Sequence, residues 1–298
     1  MSFLSPHKLW RQDVALDVGT ATTRVAIGMD RLIERPSETA AKRALRGGVV
    51  VDGDAAVAFL KPLLAQVRVF GVVGPRVLAC APSDVKRNEH ELLIESIVKA
   101  GASSVVVIPE PLAAAVGAGV DVSSPYPQMV IDIGEGVSDC AIIQSSKILA
   151  TCAVRFGCAG MRREIVQTAE RNGISAITDG EAEELLRSHG VAVSSSDSLD
   201  SGGRAHPAAA VEPVMEEILA TIDSFLRDLP HSLGCEIIDS GIWLSGGGAL
   251  IPGIRERLEE HTGITVRTVG NPLFAVIEGA RVILPVVTAL NQWRRCSP

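Results

Sequence analysis

The feature that most constrains the fold is a short turn headed by an aspartate, which occurs twice in the chain. The two segments are LDVGTATTRVAIG from Leu16 and IDIGEGVSDCAII from Ile131. In each, an apolar run predicts a buried strand ending in Asp17 or Asp132, and glycine then turns the chain into a second strand. A single glycine hairpin is usually nothing more than a hairpin. Two copies predict paired turns that aim backbone N–H groups and a carboxylate at phosphate.

A third glycine-rich segment follows later in the chain. IWLSGGGALIPGIRERLEEHTG, from Ile242, predicts a strand, a turn at Gly246, Gly247 and Gly248, and an amphipathic helix. Bare backbone at the end of a strand allows a flat ring or a phosphate to approach closely. Alone, the segment is typical of an ordinary strand-to-helix connection. The order of two acid-headed turns and then a glycine triplet resembles the ATPase superfamily of actin, Hsp70 and sugar kinases.

Apolar patterning elsewhere predicts strands that alternate with helices, and therefore an α/β fold. Asp54 is expected to cap the helix in VVVDGDAAVAFLKPLLAQVRVFG. In EPVMEEILATIDSFLRDLP, apolar residues spaced four apart, from Val214 to Leu226, predict one core-facing side. Two stretches lack periodicity: a polar connector at residues 29–47, and a run at residues 191–213 that predicts a flexible loop.

Composition excludes several classes of protein. The chain has 298 residues, of which 47% are hydrophobic, enough for two domains with their own cores. Its net charge of −7 argues against a dedicated nucleic-acid binder, and no nucleic-acid partner is expected. The six cysteines form no CxxC pair, which predicts reduced thiols in a core rather than a zinc site or disulfides. Without an apolar run of about 18 residues or a secretory signal, the protein is expected in the cytoplasm.

Three segments narrow the resemblance to one family. They are VIPEPLAAAVGAG around Glu110, MVIDIGEGVSDCAII around Asp132, and LSGGGALIPGIRERLEEHTGITV with NPLFAVIEGA near the C-terminus. Together they resemble the bacterial actin homologues MreB and Mbl, over most of the chain from Val14 to Ala280. The resemblance implies a shortened member of that family, with an actin-like, ribonuclease H-like, two-domain ATPase fold and reduced small subdomains.

The resemblance also implies domain boundaries. Domain I would span residues 1–145, with its small subdomain reduced at about 29–47, and would be completed by residues 279–298. Domain II would span residues 146–278 and include the flexible loop at 191–213. With both small subdomains reduced, the usual longitudinal filament contacts are less secure than the fold.

By the same resemblance, ATP and Mg²⁺ are the expected cofactors. Asp17 and Asp132 would hold the metal ion, mostly through water, as a small hard cation prefers. Glu110 matches the residue that positions the attacking water, a role that matters because phosphoryl transfer depends on positioning and charge stabilisation. The remaining nucleotide contacts would come from Gly19, Thr20, Ala21 and Thr22 for the β-phosphate, Gly134, Glu135 and Gly136 for the γ-phosphate, Gly246, Gly247 and Gly248 for the adenosine, and Glu183 and Glu184 for the ribose.

Two departures from the family pattern bear on ATP hydrolysis. Glu135 and Val137 stand where the family usually has a glycine and a threonine. Val137 offers no hydroxyl, and the Glu135 carboxylate would repel the γ-phosphate unless a cation compensates it. Eukaryotic actin carries an acid and a valine at the corresponding places. Hydrolysis is therefore left open, whereas nucleotide binding is expected.

The function implied is that of an ATP-binding cytoskeletal protein that contributes to cell shape and cell-wall synthesis at the inner membrane face. It would polymerise, or co-assemble with a full-length MreB homologue, and contact the cell-wall synthesis machinery. Phe3, Leu4 and Trp10 form a short apolar tip that could enter an anionic membrane surface, or pack on the chain's own domain. Other members of the superfamily suggest alternatives: a non-polymerising nucleotide-binding regulator, a chaperone or reactivase, or a small-molecule kinase.

Overall fold

The chain forms two compact units in the computed structural model, which describes residues 12–39, 42–173, 177–191, 207–290 and 293. The first unit comprises Met1–Gly117 and Val276–Pro298, and the second comprises Ala118–Ala275. The sequence placed the division after residue 145. The structure places it earlier, because the strands of the second acid-headed turn pair with strands that follow them in the chain.

The first unit is built on a five-stranded mixed sheet. Its strands are β1 (Asp13–Val18), β2 (Thr22–Ile27), β3 (Arg31–Pro36), β8 (Arg76–Ala81) and β9 (Ser104–Pro109). Four short strands lie between β3 and β8 in the chain: β4 (Glu38–Thr39), β5 (Lys42–Arg43), β6 (Leu45–Arg46) and β7 (Val49–Val50). The sheet order is β3-β2-β1-β8-β9, and β4-β5 and β6-β7 form separate two-stranded ladders. The connector expected at residues 29–47 therefore contains β3, the whole β4-β5 ladder and one strand, β6, of the other ladder.

Three helices complete the continuous part of the first unit: α1 (Gly53–Ala65), α2 (Arg87–Lys99) and α3 (Glu110–Gly117). The expectation that Asp54 caps α1 is wrong. Asp52 is the N-cap, because its backbone is extended and its side chain accepts a hydrogen bond from the Ala55 N–H at 2.9 Å. Asp54 lies one residue inside the helix, in its acidic first turn.

The second unit repeats the same sheet topology. Its strands are β10 (Gln128–Ile133), β11 (Ser138–Gln144), β12 (Lys147–Val154), β13 (Ile242–Ser245) and β14 (Val266–Thr268), in the order β12-β11-β10-β13-β14. In both sheets, a three-stranded antiparallel meander is extended by two parallel strands. The duplication seen in the sequence is therefore a duplication of the sheet, with one acid-headed turn after the central strand of each.

The helices of the second unit cover its sheet. They are α4 (Cys158–Arg171), α5 (Asp179–His189), α6 (Pro207–Ala210), α7 (Glu212–Arg227), α8 (His231–Ser240) and α9 (Ile254–Thr262). The apolar face of α7 packs into the core as predicted, with Val214, Ile218 and Ile222 buried. The loop expected at residues 191–213 is partly helical, since α6 and the start of α7 fall within it. Residues 192–206 lie outside the described residues.

The last helix, α10 (Ala275–Ala289), packs on the first unit. A Cβ at Gly279 would lie 1.7 Å from the carbonyl oxygen of Ala113 in α3, so only glycine allows this contact. Arg281 donates to the carbonyl oxygen of Met29 at 3.0 Å, and the Thr288 hydroxyl donates to Asp13 at 3.1 Å. These contacts tie the C-terminal helix to the open end of the β1-β2 hairpin, where β1 begins and β2 ends.

The structure also bears on the cysteines and on the apolar segments of the sequence. Cys80, Cys140 and Cys158 are buried free thiols, as predicted, but Cys235 is exposed. Throughout the described ranges, no helix combines the length and the apolar character needed to cross a membrane. The apolar tip of Phe3, Leu4 and Trp10 lies outside the described residues.

Candidate functional site

The first acid-headed turn places a buried carboxylate opposite an arginine. Asp17 lies near the end of β1 and faces Arg24 across the antiparallel pair with β2, which Thr22 begins. Arg24 Nη1 is 3.5 Å from Asp17 Oδ2, and Arg24 Nε donates to Glu34 at 3.0 Å. Burial raises the pKa of Asp17 to about 6, although the Arg24 charge acts in the opposite direction. The environment therefore disfavours the charged carboxylate unless a further cation is present.

The carbonyl groups of this turn are held by a neighbouring strand end. The Ser37 hydroxyl donates to the Gly19 oxygen at 2.6 Å, and the Ser37 N–H donates to the Ala21 oxygen at 2.9 Å. The Thr20 hydroxyl accepts a hydrogen bond from the Gly48 N–H at 2.9 Å. In a trans peptide, C=O and N–H point in opposite directions, so the Thr20 N–H points away from Ser37. This orientation suits a turn that binds an anion through backbone amides.

The second acid-headed turn has the same position in its own sheet but a different charge. Asp132 is buried near the end of β10 and lies opposite Asp139 of β11, where the first turn has Arg24. Directly opposite residues of an antiparallel pair share one face of the sheet, and like charges there are destabilising. Ser245 of β13 flanks Asp132 on the parallel side. Two buried carboxylates in register form an oxygen-rich site that suits a hard cation such as Mg²⁺.

The N-terminus of α4 holds the carbonyl groups of the second turn. The first two N–H groups of α4 donate to the oxygens of Gly134 and Glu135, at 3.1 and 2.9 Å. The Gly134 N–H is already used within the turn, because it donates to the Val137 oxygen at 2.9 Å. The carbonyls of Gly134 and Glu135 face α4, so the N–H groups of Glu135 and Gly136 point the other way. Of the three expected amide donors, these two are oriented for a phosphate.

An arginine from α4 binds the carboxylate of Glu135 in the second turn. Arg162 contacts both oxygens of Glu135, at 2.5 and 3.1 Å, and also binds Asp179 at 3.1 Å and Glu183 at 3.0 Å. Only 11% of its side chain is exposed. Burial opposes its charge, but hydrogen bonds and attraction from Glu135 and Asp179 prevail, so its pKa is raised above the usual value. The Glu135 carboxylate is thus compensated by the protein itself.

The two acids expected at the ribose have different surroundings. Glu183 is half-buried on α5 and accepts from Arg162 and, at 2.6 Å, from Arg187. Glu184 is exposed on the same helix. A carboxylate has about four acceptor positions, so Glu183 can accept a further hydrogen bond in this arrangement.

The glycine triplet lies against the strand that carries Asp132. Gly246 follows β13, with φ +81° and ψ 174°, and its N–H donates to the Pro272 oxygen at 3.1 Å. A Cβ at Gly246 would lie 2.3 Å from the Ile133 oxygen, and one at Gly248 would lie 2.2 Å from the Ile133 side chain. Gly247 begins a short 3-10 helix and has no such close contact. The triplet and the second turn therefore meet at Ile133.

Glu110 lies at the same edge of the first sheet as Asp17. It is buried at the first position of α3, directly after β9. Cys80 of β8 pairs with Asp17 on one side and with Ile108 on the other, so β8 separates the two acids. At the usual strand spacing, their strands are about 10 Å apart. The first sheet thus carries both acids at the carboxyl ends of parallel strands.

Sequence reasoning missed three residues that shape these turns: Ser37, Gly157 and Arg162. A Cβ at Gly157 would lie 2.4 Å from the Gly134 oxygen, so this glycine permits the close approach of α4. Ser37 and Arg162 act over distances of 18 and 27 residues in the chain, which no local pattern reveals. Within the described part of the chain, no group of three or more His, Cys, Asp or Glu residues is arranged to hold a metal ion.

Comparison with known proteins decides the family. The sequence model of MreB/Mbl proteins matches residues 12–292. The chain belongs to the MreB/Mbl family. Among curated relatives, it is 30% identical to the cell shape-determining protein MreB of Escherichia coli, over 93% of this chain and 85% of the relative. It is 29% identical to the cell shape-determining protein Mbl of Bacillus subtilis, over 91% of this chain and 87% of the relative.

Solved structures agree on the fold. MreB5 of Spiroplasma citri, in crystal structures bound to AMPPNP and to ADP, matches with TM-scores of 0.83 and 0.84. Each match covers 95% of this chain and 98% of the other, at 22% and 23% identity. The actin-like α/β fold predicted from the sequence is confirmed, as is membership of the MreB/Mbl family.

Proposed function

We propose that this chain is a bacterial actin-like cytoskeletal protein that binds ATP with Mg²⁺ and assembles into polymers that contribute to cell shape. The observation that carries the proposal is the repeated sheet, with a buried aspartate and a carbonyl-anchored turn after the central strand of each copy. Membership of the MreB/Mbl family supports it, since the relatives are named as cell shape-determining proteins. Nucleotides bound to MreB5 of Spiroplasma citri support the choice of ligand.

In this proposal, the two turns hold the phosphates and the metal ion. Asp17 and Asp132 would hold Mg²⁺, which would supply the positive charge that neutralises the phosphates. The raised pKa of Asp17 and the pairing of Asp132 with Asp139 both favour a cation. The outward N–H groups of Thr20, Glu135 and Gly136 then donate to phosphate oxygens; Gly19, Ala21, Thr22 and Gly134 shape the turns around them.

The rest of the nucleotide is assigned to the second unit, and the attacking water to the first. The bare backbone of Gly246, Gly247 and Gly248 lies against the adenosine, and Glu183 and Glu184 accept from the ribose. Glu110, buried at the end of β9, orients the attacking water and accepts its proton. Hydrolysis by this arrangement is part of the proposal, and is separable from binding.

Assembly is proposed as self-association, or as co-assembly with a full-length MreB homologue, at the inner face of the membrane. Phe3, Leu4 and Trp10 would supply the membrane contact, and the cell-wall synthesis machinery would be the further partner. The small-molecule kinase alternative would need a catalytic base beside an acceptor pocket, and Asp52 instead serves as the N-cap of α1. A non-polymerising regulator is the alternative that the assembly experiment separates.

Sedimentation tests the assembly claim. The protein is centrifuged at high concentration with Mg²⁺-ATP, with Mg²⁺-ADP or with EDTA, each with and without anionic liposomes. We expect more pelleted protein with Mg²⁺-ATP than with EDTA, and no such difference in the Asp132→Ala variant. A wild-type protein that binds nucleotide but stays in the supernatant under every condition would instead be a regulator.

A further inference from the structure

We propose that Arg162 is a positioning residue that lets the second turn accept a terminal phosphate, by neutralising the carboxylate of Glu135. The inference rests on the proposed function, because it takes the second turn as the site of the γ-phosphate. The local sequence around Arg162 assigns it no role, because its carboxylate partners lie 17 to 27 residues away in the chain.

The geometry fixes the guanidinium on Glu135. Two of its nitrogens contact the two oxygens of Glu135, while Asp179 and Glu183 of α5 bind its Nε and Nη1. Arginine has five N–H donors in one plane, so a single side chain can serve three carboxylates in this way. The carboxylates of α5 thus fix the position of the Arg162 side chain, which in turn fixes that of the Glu135 carboxylate.

The charge balance explains why this matters for a phosphate. The backbone N–H of Glu135 points away from α4, toward the proposed phosphate position. The same residue carries a negative charge on its side chain. Without Arg162, a half-buried negative charge would lie beside the amides that must bind a negative ligand. Such repulsion is strong where water is excluded, and it acts most on the phosphate bound nearest to the turn.

A purely structural role for Arg162 predicts a different outcome. If the residue only joined α4 to α5, its loss would weaken every nucleotide to the same degree and lower stability. If Arg162 neutralises Glu135, its loss weakens the binding of a triphosphate more than that of a diphosphate. Removal of the Glu135 charge then restores the wild-type ratio of the two affinities. The ratio of the two affinities therefore separates the roles.

The experiment is a mutant cycle read by calorimetry with Mg²⁺-AMPPNP and Mg²⁺-ADP. Arg162→Met should weaken AMPPNP roughly tenfold or more, with a smaller effect on ADP. Glu135→Gln combined with Arg162→Met should return the affinity ratio to near the wild-type value. Arg162→Lys keeps a charge but loses the bidentate contact, so its affinity for AMPPNP should lie between those of the wild type and Arg162→Met. Arg187→Met is the matched control, because Arg187 also binds Glu183 but does not bind Glu135.

Thermal unfolding of each variant establishes that it is folded before its affinities are compared, and Arg162→Lys gives the comparison if Arg162→Met does not fold. Equal weakening of both nucleotides in the arginine variants, or no rescue by Glu135→Gln, would overturn this inference alone. A wild-type chain that binds neither nucleotide would overturn the proposed function, and this inference with it.

Discussion

A methyl group at Gly246 should strongly destabilise the second unit, whereas a methyl group at the neighbouring Gly247 should not. Gly246 has φ +81° and ψ 174°, a region that is essentially restricted to glycine and costs other residues about 1–3 kcal/mol. The new Cβ would also lie 2.3 Å from the backbone oxygen of Ile133. Relief of such overpacking costs about 1–3 kcal/mol more. Gly246→Ala should therefore cost about 2–6 kcal/mol in total.

Gly247→Ala is the matched control. Its Cβ would have the Leu273 side chain as its nearest neighbour, at 3.6 Å, which is an ordinary contact. Because alanine also restricts the unfolded chain, the change in stability should lie within about 1 kcal/mol of zero. Urea denaturation, followed by circular dichroism, gives both values. Equal loss of stability in the two variants would refute the reasoning from backbone geometry.

The same pair tests the adenosine contact. The alanine methyl at Gly247 disturbs no close protein contact, so a loss of nucleotide affinity in this variant must arise at the ligand. We expect Gly247→Ala to weaken ATP and ADP alike, because both carry the adenosine. Unchanged affinity for both nucleotides would remove Gly247 from the proposed site, while leaving the stability prediction intact.

Three further predictions concern single acids. Asp52→Ala should destabilise the first unit by about 1 kcal/mol through loss of the α1 cap, and Asp54→Ala by less, as urea denaturation would show. The pKa of Asp17 is raised from 3.8 to about 6, so its protonated form favours the fold at low pH; this contribution of about 3 kcal/mol is lost as pH rises through 6. In metal-free urea titrations from about pH 3.5 to about 7.5, which span both pKa values, Asp17→Asn should abolish that loss; a pH profile identical to that of the wild type would contradict the prediction. Glu110→Gln should slow phosphate release from ATP about a hundredfold, with Mg²⁺-ATP affinity retained, whereas loss of both would indicate a structural role.

Local spacing was enough to predict the acid-headed turns and the glycine triplet. Asp17 and Asp132 each end a short apolar run, and the glycines that follow lie within a few residues of them. Such features depend on near neighbours in the chain, so they survive in any fold that buries the strands. The core face of α7 was predictable for the same reason, since helical periodicity is a local property.

Contacts between distant segments could not be predicted in this way. Arg162 compensates Glu135 only because α4 passes beside the second turn, and Ser37 reaches Gly19 only because β3 pairs with β2. Both are ordinary polar residues in the sequence. The predicted cap at Asp54 failed on a smaller scale, because Asp52 and Asp54 are equally suitable by type and only the backbone conformation at Asp52 decides between them.

The domain boundary was misplaced for a related reason. The apolar runs of β10 and β11 resemble those of β1 and β2, so their local sequence does not indicate to which sheet these strands belong. Their assignment follows from pairing with β12 and β13, and the latter lies about a hundred residues further along the chain. Strand pairing over such distances is set by the assembled sheet rather than by local sequence.

Calorimetric titration of Mg²⁺-ATP into the wild-type protein, Asp17→Ala and Asp132→Ala tests the central claim most directly. The account predicts one nucleotide bound per chain by the wild type, and loss of Mg²⁺-dependent binding in both variants, each of which is confirmed to be folded by circular dichroism. No binding by the wild type, or equal affinity in all three proteins, would contradict it.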